Sequence, residues 1–405
     1  MDVVYSGVAG LDEHKKTVVA CVITPEIQET RSFGTMTSDL LQLKAWLLQC
    51  KVTHVAMEST GVFWKPTWNI LEDNFNLFLV NAHHIKNVPG RKTDVKDAQW
   101  IADLLRHGLI RGSFVPDREQ RELRELTRYR RSLIEERVRE VNRIQKVLEG
   151  ANIKLSSVAT DVLGVSGRAI LEAMVNGEED TRVLAEMSKG ALRGKKASLE
   201  EALRGLMGEH QRRVLKIQLE HLDFMEQKIS ELDNEINNRM DYFKEAIERL
   251  DGIPGINQRN AEETLAEIGI DMAIFPTAAN LSSWSGLCPG NNESAGKRKS
   301  GKTRQGNRWL RSTMVRAARA AVRSDKNYFS ALYRRIASRR GDKRAIVAVA
   351  NSIISIIHSM LSKDTVYQDL GPQFFDERHR ERTIRRAIQR IESLGYKVNL
   401  QVAVA

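Results

Sequence analysis

The chain has 405 residues, enough for two or three domains with their own cores, and a net charge of +11 with 28% charged and 6% aromatic residues. Three scattered cysteines, Cys21, Cys50 and Cys288, exclude a disulfide framework and any zinc spacing, and fit a reducing cytosol. No secretory signal opens the chain, and the apolar run 345–361 is too short and too polar for a bilayer span, so a buried helix is expected there.

Residues 1–115 contain twelve Lys or Arg and twelve Asp or Glu, so the whole positive excess lies downstream. The first domain is neutral, and the later ones carry a footprint suited to nucleic acid. The runs 3–11 and 17–24 are β-rich and read as a hairpin, with a third strand near 30–36. A helix at 39–49 puts Leu40, Leu43, Leu47 and Leu48 on one face, and strands at 54–57 and 77–80 follow. Three adjacent strands, then strands reached through helices, predict an α/β sheet.

Four carboxylates stand out on this pattern. Asp12 closes the first strand and Glu58 the fourth, while Asp94 and Asp97 open a predicted helix, three residues apart and so on one face. Carboxylates placed like this can converge on divalent metal, since Mg²⁺ takes hard oxygen ligands and two such ions flank a scissile phosphate. The arrangement resembles a ribonuclease-H-like fold of the Holliday-junction-resolvase type. Glu13, His14 and Asp103 are read as neighbours outside the set.

From about Pro116 the pattern turns to long helices. Leu123, Leu126, Leu133, Val141, Ile144 and Leu148 form one apolar stripe, and the positions from Leu215 to Leu250 recur at threes and fours as a coiled-coil seam. An intramolecular hairpin and an intermolecular dimer are both expected of it. Residues 151–198 carry no clear pattern. Residues 250–269 resemble a helix-hairpin-helix, in which Gly252 and Gly255 of the turn would let backbone N–H groups approach a phosphate.

The stretch GLCPGNNESAGKRKSGKTRQGNRWLR, residues 286–311, follows. From Ser294 to Ser324 there are ten Lys or Arg and no Asp or Glu. Lys297, Arg298, Lys299, Lys302, Arg304, Arg308 and Arg311 are the candidate nucleic-acid contacts, and Ser294 is the candidate nucleophile, with Ser300 second. A basic helix over 307–322 and the apolar helix 345–361 complete this region, and 366–405 reads as a peripheral charged tail.

Together these features look like the IS-one-ten family of insertion-sequence transposases, relatives of Piv-type DNA invertases, over about residues 5–400. The resemblance implies domains at 1–115 (RuvC-like, catalytic), 116–250 (coiled coil, oligomerisation and RNA contact), 251–365 (helical transposase domain with the serine) and 366–405 (tail). It implies metal ligands Asp12, Glu58, Asp94 and Asp97, binding Mg²⁺ with Mn²⁺ as the alternative, and Ser294 as nucleophile. Relatives often carry two adjacent serines, where this chain has Glu293 before Ser294 and Ala295 after it. The resemblance further implies donor and target DNA, a structured bridge RNA as guide, a dimer assembling to a tetramer, no membrane, and a cytoplasmic, nucleoid-associated location. The competing expectation is a metal-dependent DNA nuclease or junction resolvase in which water attacks.

Overall fold

The computed structural model describes residues 2–59, 61–81, 97–290, 292–294, 297–378 and 380–399, and of 292–294, 297–300, 376, 381–383 and 386 only the backbone. Two compact units divide the chain at 117/118.

In the first unit, β1 (Val8–Glu13), β2 (Thr17–Ile23) and β3 (Gln28–Gly34) form an antiparallel meander, followed by α1 (Thr37–Gln49). Then come β4 (His54–Glu58), α2 (Trp64–Leu71), β5 (Asn76–Val80) and α3 (Asp97–Arg106). The sheet order is β3-β2-β1-β4-β5, with β4 parallel to both β1 and β5. Strand alternation sorts the side chains onto two faces. Ala9, Leu11, Val55, Met57 and Leu79 pack with Leu40, Leu43, Leu47, Trp68 and Leu71 of α1 and α2. Val8, Ala56 and Val80 pack with Ala98, Ile101, Ala102 and Leu105 of α3 on the other. One expectation fails: Leu48 is 48% exposed, and Trp46 is buried in its place, its ring 5.5 Å from Phe33. Leu48 follows Leu47 directly, and the 100° turn between them carries it off the packed face.

The second unit opens with α4 (Arg118–Gly150) and continues through α5 (Leu155–Val158), α6 (Val165–Val175), α7 (Thr181–Glu186) and α8 (Lys196–Leu203) to α9 (Glu209–Arg239). The segment without a pattern is therefore a cluster of short helices, whose Leu155, Ile170, Leu184 and Leu199 share one core with Leu148 and Leu215. Helices α4 and α9 run antiparallel, as Arg137–Glu226 at 2.6 Å and Arg239–Glu122 at 2.9 Å show. The predicted seam is used here, within the chain, with Leu215, Leu219, Leu222, Met225, Ile229 and Ile236 buried.

The seam is not one continuous helix, however. The helix ends at Arg239, just after Asn237 and Asn238, which are weak helix formers, a single 3₁₀ turn covers Asp241–Phe243, and α10 (Lys244–Asp251) is separate. Phe243 and Ile247 then pack on Leu123, Ile236 and Met240. After α11 (Gln258–Ile268) and α12 (Ala278–Trp284) comes a two-stranded ribbon, β6 (Asn292–Ser294) and β7 (Lys297–Ser300). It is followed by α13 (Arg308–Ala321), α14 (Tyr328–Arg340), α15 (Asp342–Lys363), α16 (Phe374–Arg378) and α17 (Arg380–Glu392). Among the described residues α15 alone is long and apolar enough to cross a membrane; here Ile346, Val349, Ile353, Ile354 and Ile357 are buried against α12, α13 and α14.

Candidate active site

Asp12 and Glu58 reach one place because of strand register. Val8, Ala9, Gly10 and Leu11 of β1 stand opposite His54, Val55, Ala56 and Met57 of β4, so the next step along both strands aligns Asp12 with Glu58. Even-numbered positions of both strands face α3, whose first residue is Asp97. An acid there also suits the positive end of a helix. The close approach of α3 depends on Gly10: a Cβ at this position would lie 2.2 Å from the Ala98 carbonyl oxygen and 2.4 Å from the Ala102 nitrogen.

The electrostatics agree with this convergence. Burial pushes the Asp12 carboxyl above its usual range; His14, with Nε2 3.3 Å from Asp12 Oδ2, lowers it, and the neighbouring Asp97 and Glu58 raise it. Such like-charge repulsion is what a divalent cation relieves, and an all-carboxylate donor set has the chemistry for a hard one. Among the described residues, no three His, Cys, Asp or Glu side chains close to metal-holding distance. Asp94 lies outside the described residues.

Glu13 has surroundings that its position beside Asp12 in the sequence does not suggest. It points to the sheet face opposite Asp12, is 2% exposed, and its pKa is pushed up to about 7, chiefly by burial. Thr67 of α2 lies near enough to oppose that shift, but no hydrogen bond of ordinary geometry reaches either carboxylate oxygen. Period-two alternation was the signal that could have separated Glu13 from Asp12.

Ser294 lies in the second unit. It pairs with Lys297 in the last rung of the ribbon before its turn, while Glu293 pairs with Arg298 and Asn292 with Ser300. Lys297, Arg298 and Lys299 therefore occupy the strand alongside the serine. The ribbon leaves the helices through a narrow neck. Gly290 N donates to the Lys302 oxygen at 3.0 Å, Asn307 N donates to the Trp284 oxygen at 2.9 Å, and a Cβ on Gly306 would meet the Gly286 nitrogen at 2.4 Å. Lys302, Arg304 and Arg308 are exposed around it, Arg308 with its guanidinium 5.0 Å from the Trp309 ring centre. Arg311 instead holds the neck, donating from Nη1 to the Gly286 oxygen at 2.8 Å.

The two hairpin glycines also differ. Gly252 is exposed at the end of α10, whereas Gly255, at φ +88°, rests on α13, where a Cβ would lie 2.2 Å from the Ala317 oxygen.

Behind the neck lies a buried polar network that the heavy alternating charge of α4 did not disclose. Arg130 donates to Glu262 at 2.7 Å, both almost fully buried, and to Asp233 at 2.9 Å. Arg128 grips Glu267 with two bonds of 2.7 and 2.8 Å. Glu267 also accepts from Asn307 Nδ2 at 2.6 Å, and the same Asn307 caps α13 through Oδ1. Arg131 donates to the Trp309 oxygen at 3.1 Å, and Glu263 accepts from Thr313 at 2.6 Å.

Neighbouring acids on a mixed sheet, with a glycine-necked basic ribbon in a second unit, are features suited to a protein that works on nucleic-acid strands. Residues 9–153 match the transposase family model for DEDD enzymes of IS110 elements, and residues 247–334 match the model described as "Transposase IS116/IS110/IS902 family". The chain is 25% identical over 332 residues to a "Probable family 20 transposase" of Pseudomonas aeruginosa, covering 81% of this chain and 89% of that one. It is 26% identical over 297 residues to the "Transposase for insertion sequence element IS1111A" of Coxiella burnetii, covering 72% of each. It belongs to the IS110 (IS-one-ten) family of insertion-sequence transposases.

Proposed function

We propose that this transposase cuts and rejoins DNA through a covalent phosphoserine on Ser294, with Asp12, Glu58, Asp94 and Asp97 as the set that holds a divalent cation. The sheet is read as the ribonuclease-H-like domain of the family and 251–365 as the transposase domain. The carrying observation is the electrostatic proximity of Asp12, Glu58 and Asp97 at the C-terminal ends of the interior strands β1 and β4, in a chain that also has a serine opposite a run of three cations on a basic ribbon.

In the first step Ser294 Oγ attacks phosphorus, the bond from phosphorus to the leaving DNA oxygen breaks, and the serine proton ends on that oxygen as a free hydroxyl. A DNA hydroxyl then attacks the phosphoserine, restoring the phosphodiester and the serine without ATP. Neutral serine is a weak nucleophile, so the surroundings must stabilise charge on the phosphate. Mg²⁺ or Mn²⁺ bound by the acids would supply Lewis-acid neutralisation of the phosphate oxygens. The acids position that charge, and Lys297, Arg298 and Lys299 add positive charge beside the serine. Meeting of the two units across protomers of a tetramer, and choice of donor and target DNA by a bridge RNA, complete the reading and rest on the family resemblance.

Incubation with end-labelled element DNA and Mg²⁺ is expected to trap a covalent protein–DNA adduct that disappears in Ser294→Ala, in Asp12→Ala and on chelation. Adduct formation by Ser294→Ala would overturn the serine assignment, and DNA cutting without any adduct would favour hydrolysis by water. Co-purification of a structured RNA encoded beside the gene, required for the adduct, tests guidance.

A further inference from the structure

We propose that the turn joining α14 to α15 is a second surface for the backbone of duplex DNA, apart from the serine ribbon. It rests on the DNA substrate of the family and not on the serine chemistry. Residues 334–344 carry six cations, Arg334, Arg335, Arg339, Arg340, Lys343 and Arg344, against one carboxylate, Asp342. That carboxylate is engaged, accepting from the Tyr333 hydroxyl at 3.0 Å and lying 3.5 Å from Arg319. Arg334 pairs with Asp325 at 3.1 Å, and the Arg335 guanidinium sits 4.9 Å from the Phe375 ring centre. The remaining four, Arg339, Arg340, Lys343 and Arg344, are all exposed and have no carboxylate at ion-pair distance among the described residues.

The same unit pairs its structural arginines closely. Arg128, Arg130 and Arg316 each have a glutamate of α11 as partner. Arg339, Arg340, Lys343 and Arg344, four cations within six residues, have no such partner among the described residues.

Helix electrostatics explain only half of it. Arg339 and Arg340 end α14, where cations are favoured, but Lys343 and Arg344 fall in the first turn of α15, where they are disfavoured. Gly341, at φ +81°, is the only residue between the two helices, so both pairs crowd one corner and repel each other. A polyanion offsets that repulsion.

Duplex DNA presents a charge every ~1.7 Å along its axis and needs only cations at its backbone. Recognition of single-stranded RNA relies on rings that stack on bases. Residues 334–344 include no aromatic residue, and neighbouring Tyr333 is tied to Asp342.

The test uses the full-length protein in a Ser294→Ala background, so that equilibrium binding is read without strand chemistry. Affinity for a 40-base-pair duplex (on the order of four helical turns at ~10 base pairs each) is measured across a salt series. In R339Q/R340Q/K343Q/R344Q, the slope of log affinity against log salt is expected to fall by about 3 to 4, at ~0.9 for each phosphate that the variant no longer neutralises. Affinity at low salt should fall about 100-fold or more, with unchanged thermal unfolding. The exposed pair Arg213 and Lys216, changed to glutamine, provides the control and should leave the slope nearly unaltered. An unchanged slope in the quadruple variant overturns the proposal. Loss of binding to an RNA hairpin with duplex binding intact also overturns it, since the surface then serves RNA.

Discussion

Substituting Gly10 with alanine is the sharpest perturbation of the acidic site that leaves every acid in place. The new methyl would lie 2.2 Å from the Ala98 oxygen, 2.4 Å from the Ala102 nitrogen and 3.0 Å from Ile101 Cβ, all on α3. Ordinary carbon–oxygen contact begins near ~3.3 Å, so α3 must retreat by about 1 Å. The obstruction is backbone at two of three contacts, and a rotamer change cannot relieve it. Asp97, first in α3, retreats with the helix while Asp12 and Glu58 stay on the sheet. Overpacking of this kind costs about 1–3 kcal/mol, and a displacement near 1 Å at a reacting centre costs on the order of 100-fold in rate. Gly10→Ala should therefore lower the melting temperature by several degrees and the rate of adduct formation about 100-fold, with duplex affinity unchanged. A variant with wild-type cleavage would show that the approach of α3 to β1 does not set the position of Asp97.

Glu13 makes a pH-dependent prediction. Its folded pKa, about 7, exceeds the ordinary 4.5, so the folded state keeps a proton that the unfolded state loses. Stability contributed by the neutral form is complete below pH 4.5 and declines as pH rises through about 7, by about 3 kcal/mol in all. Glu13→Gln should flatten this decline and stabilise the protein at pH 8 in chelator, as read by denaturant unfolding; parallel pH curves for the two proteins would refute it. Arg130→Met leaves Glu262 buried without its closest partner and should cost about 3–5 kcal/mol. Arg130→Met/Glu262→Met should recover much of that loss, and additive losses in a double-mutant cycle would show that the pair is not coupled. Gly255→Ala should destabilise the second unit, because it combines φ +88° with a 2.2 Å contact to the Ala317 oxygen; a loss of DNA affinity with unchanged melting would instead assign this glycine to phosphate contact.

The sequence by itself determined the local pattern. β-rich runs identified the strands that carry Asp12 and Glu58, and the apolar repeat from Leu215 identified a helix with one buried face, because both signals depend only on residue type and chain geometry over a few residues. Composition likewise placed the excess of positive charge after residue 115. Tertiary structure decided what those residues meet. The repeat up to Leu250 did not reveal the break at Met240, since Met240, Phe243, Ile247 and Leu250 continue the same apolar spacing across it. Cation density did not separate Arg311, which ties the ribbon neck, from Arg308 beside it, nor distinguish Arg130, matched to Glu262 and Asp233, from unmatched Arg340. Glu13 and Asp12 are adjacent in sequence yet face opposite sides of a sheet, one sealed under α2 and the other among acids. Charge is a property of a residue, but desolvation and pairing belong to its surroundings, and those come from elements tens to more than a hundred positions away in the chain.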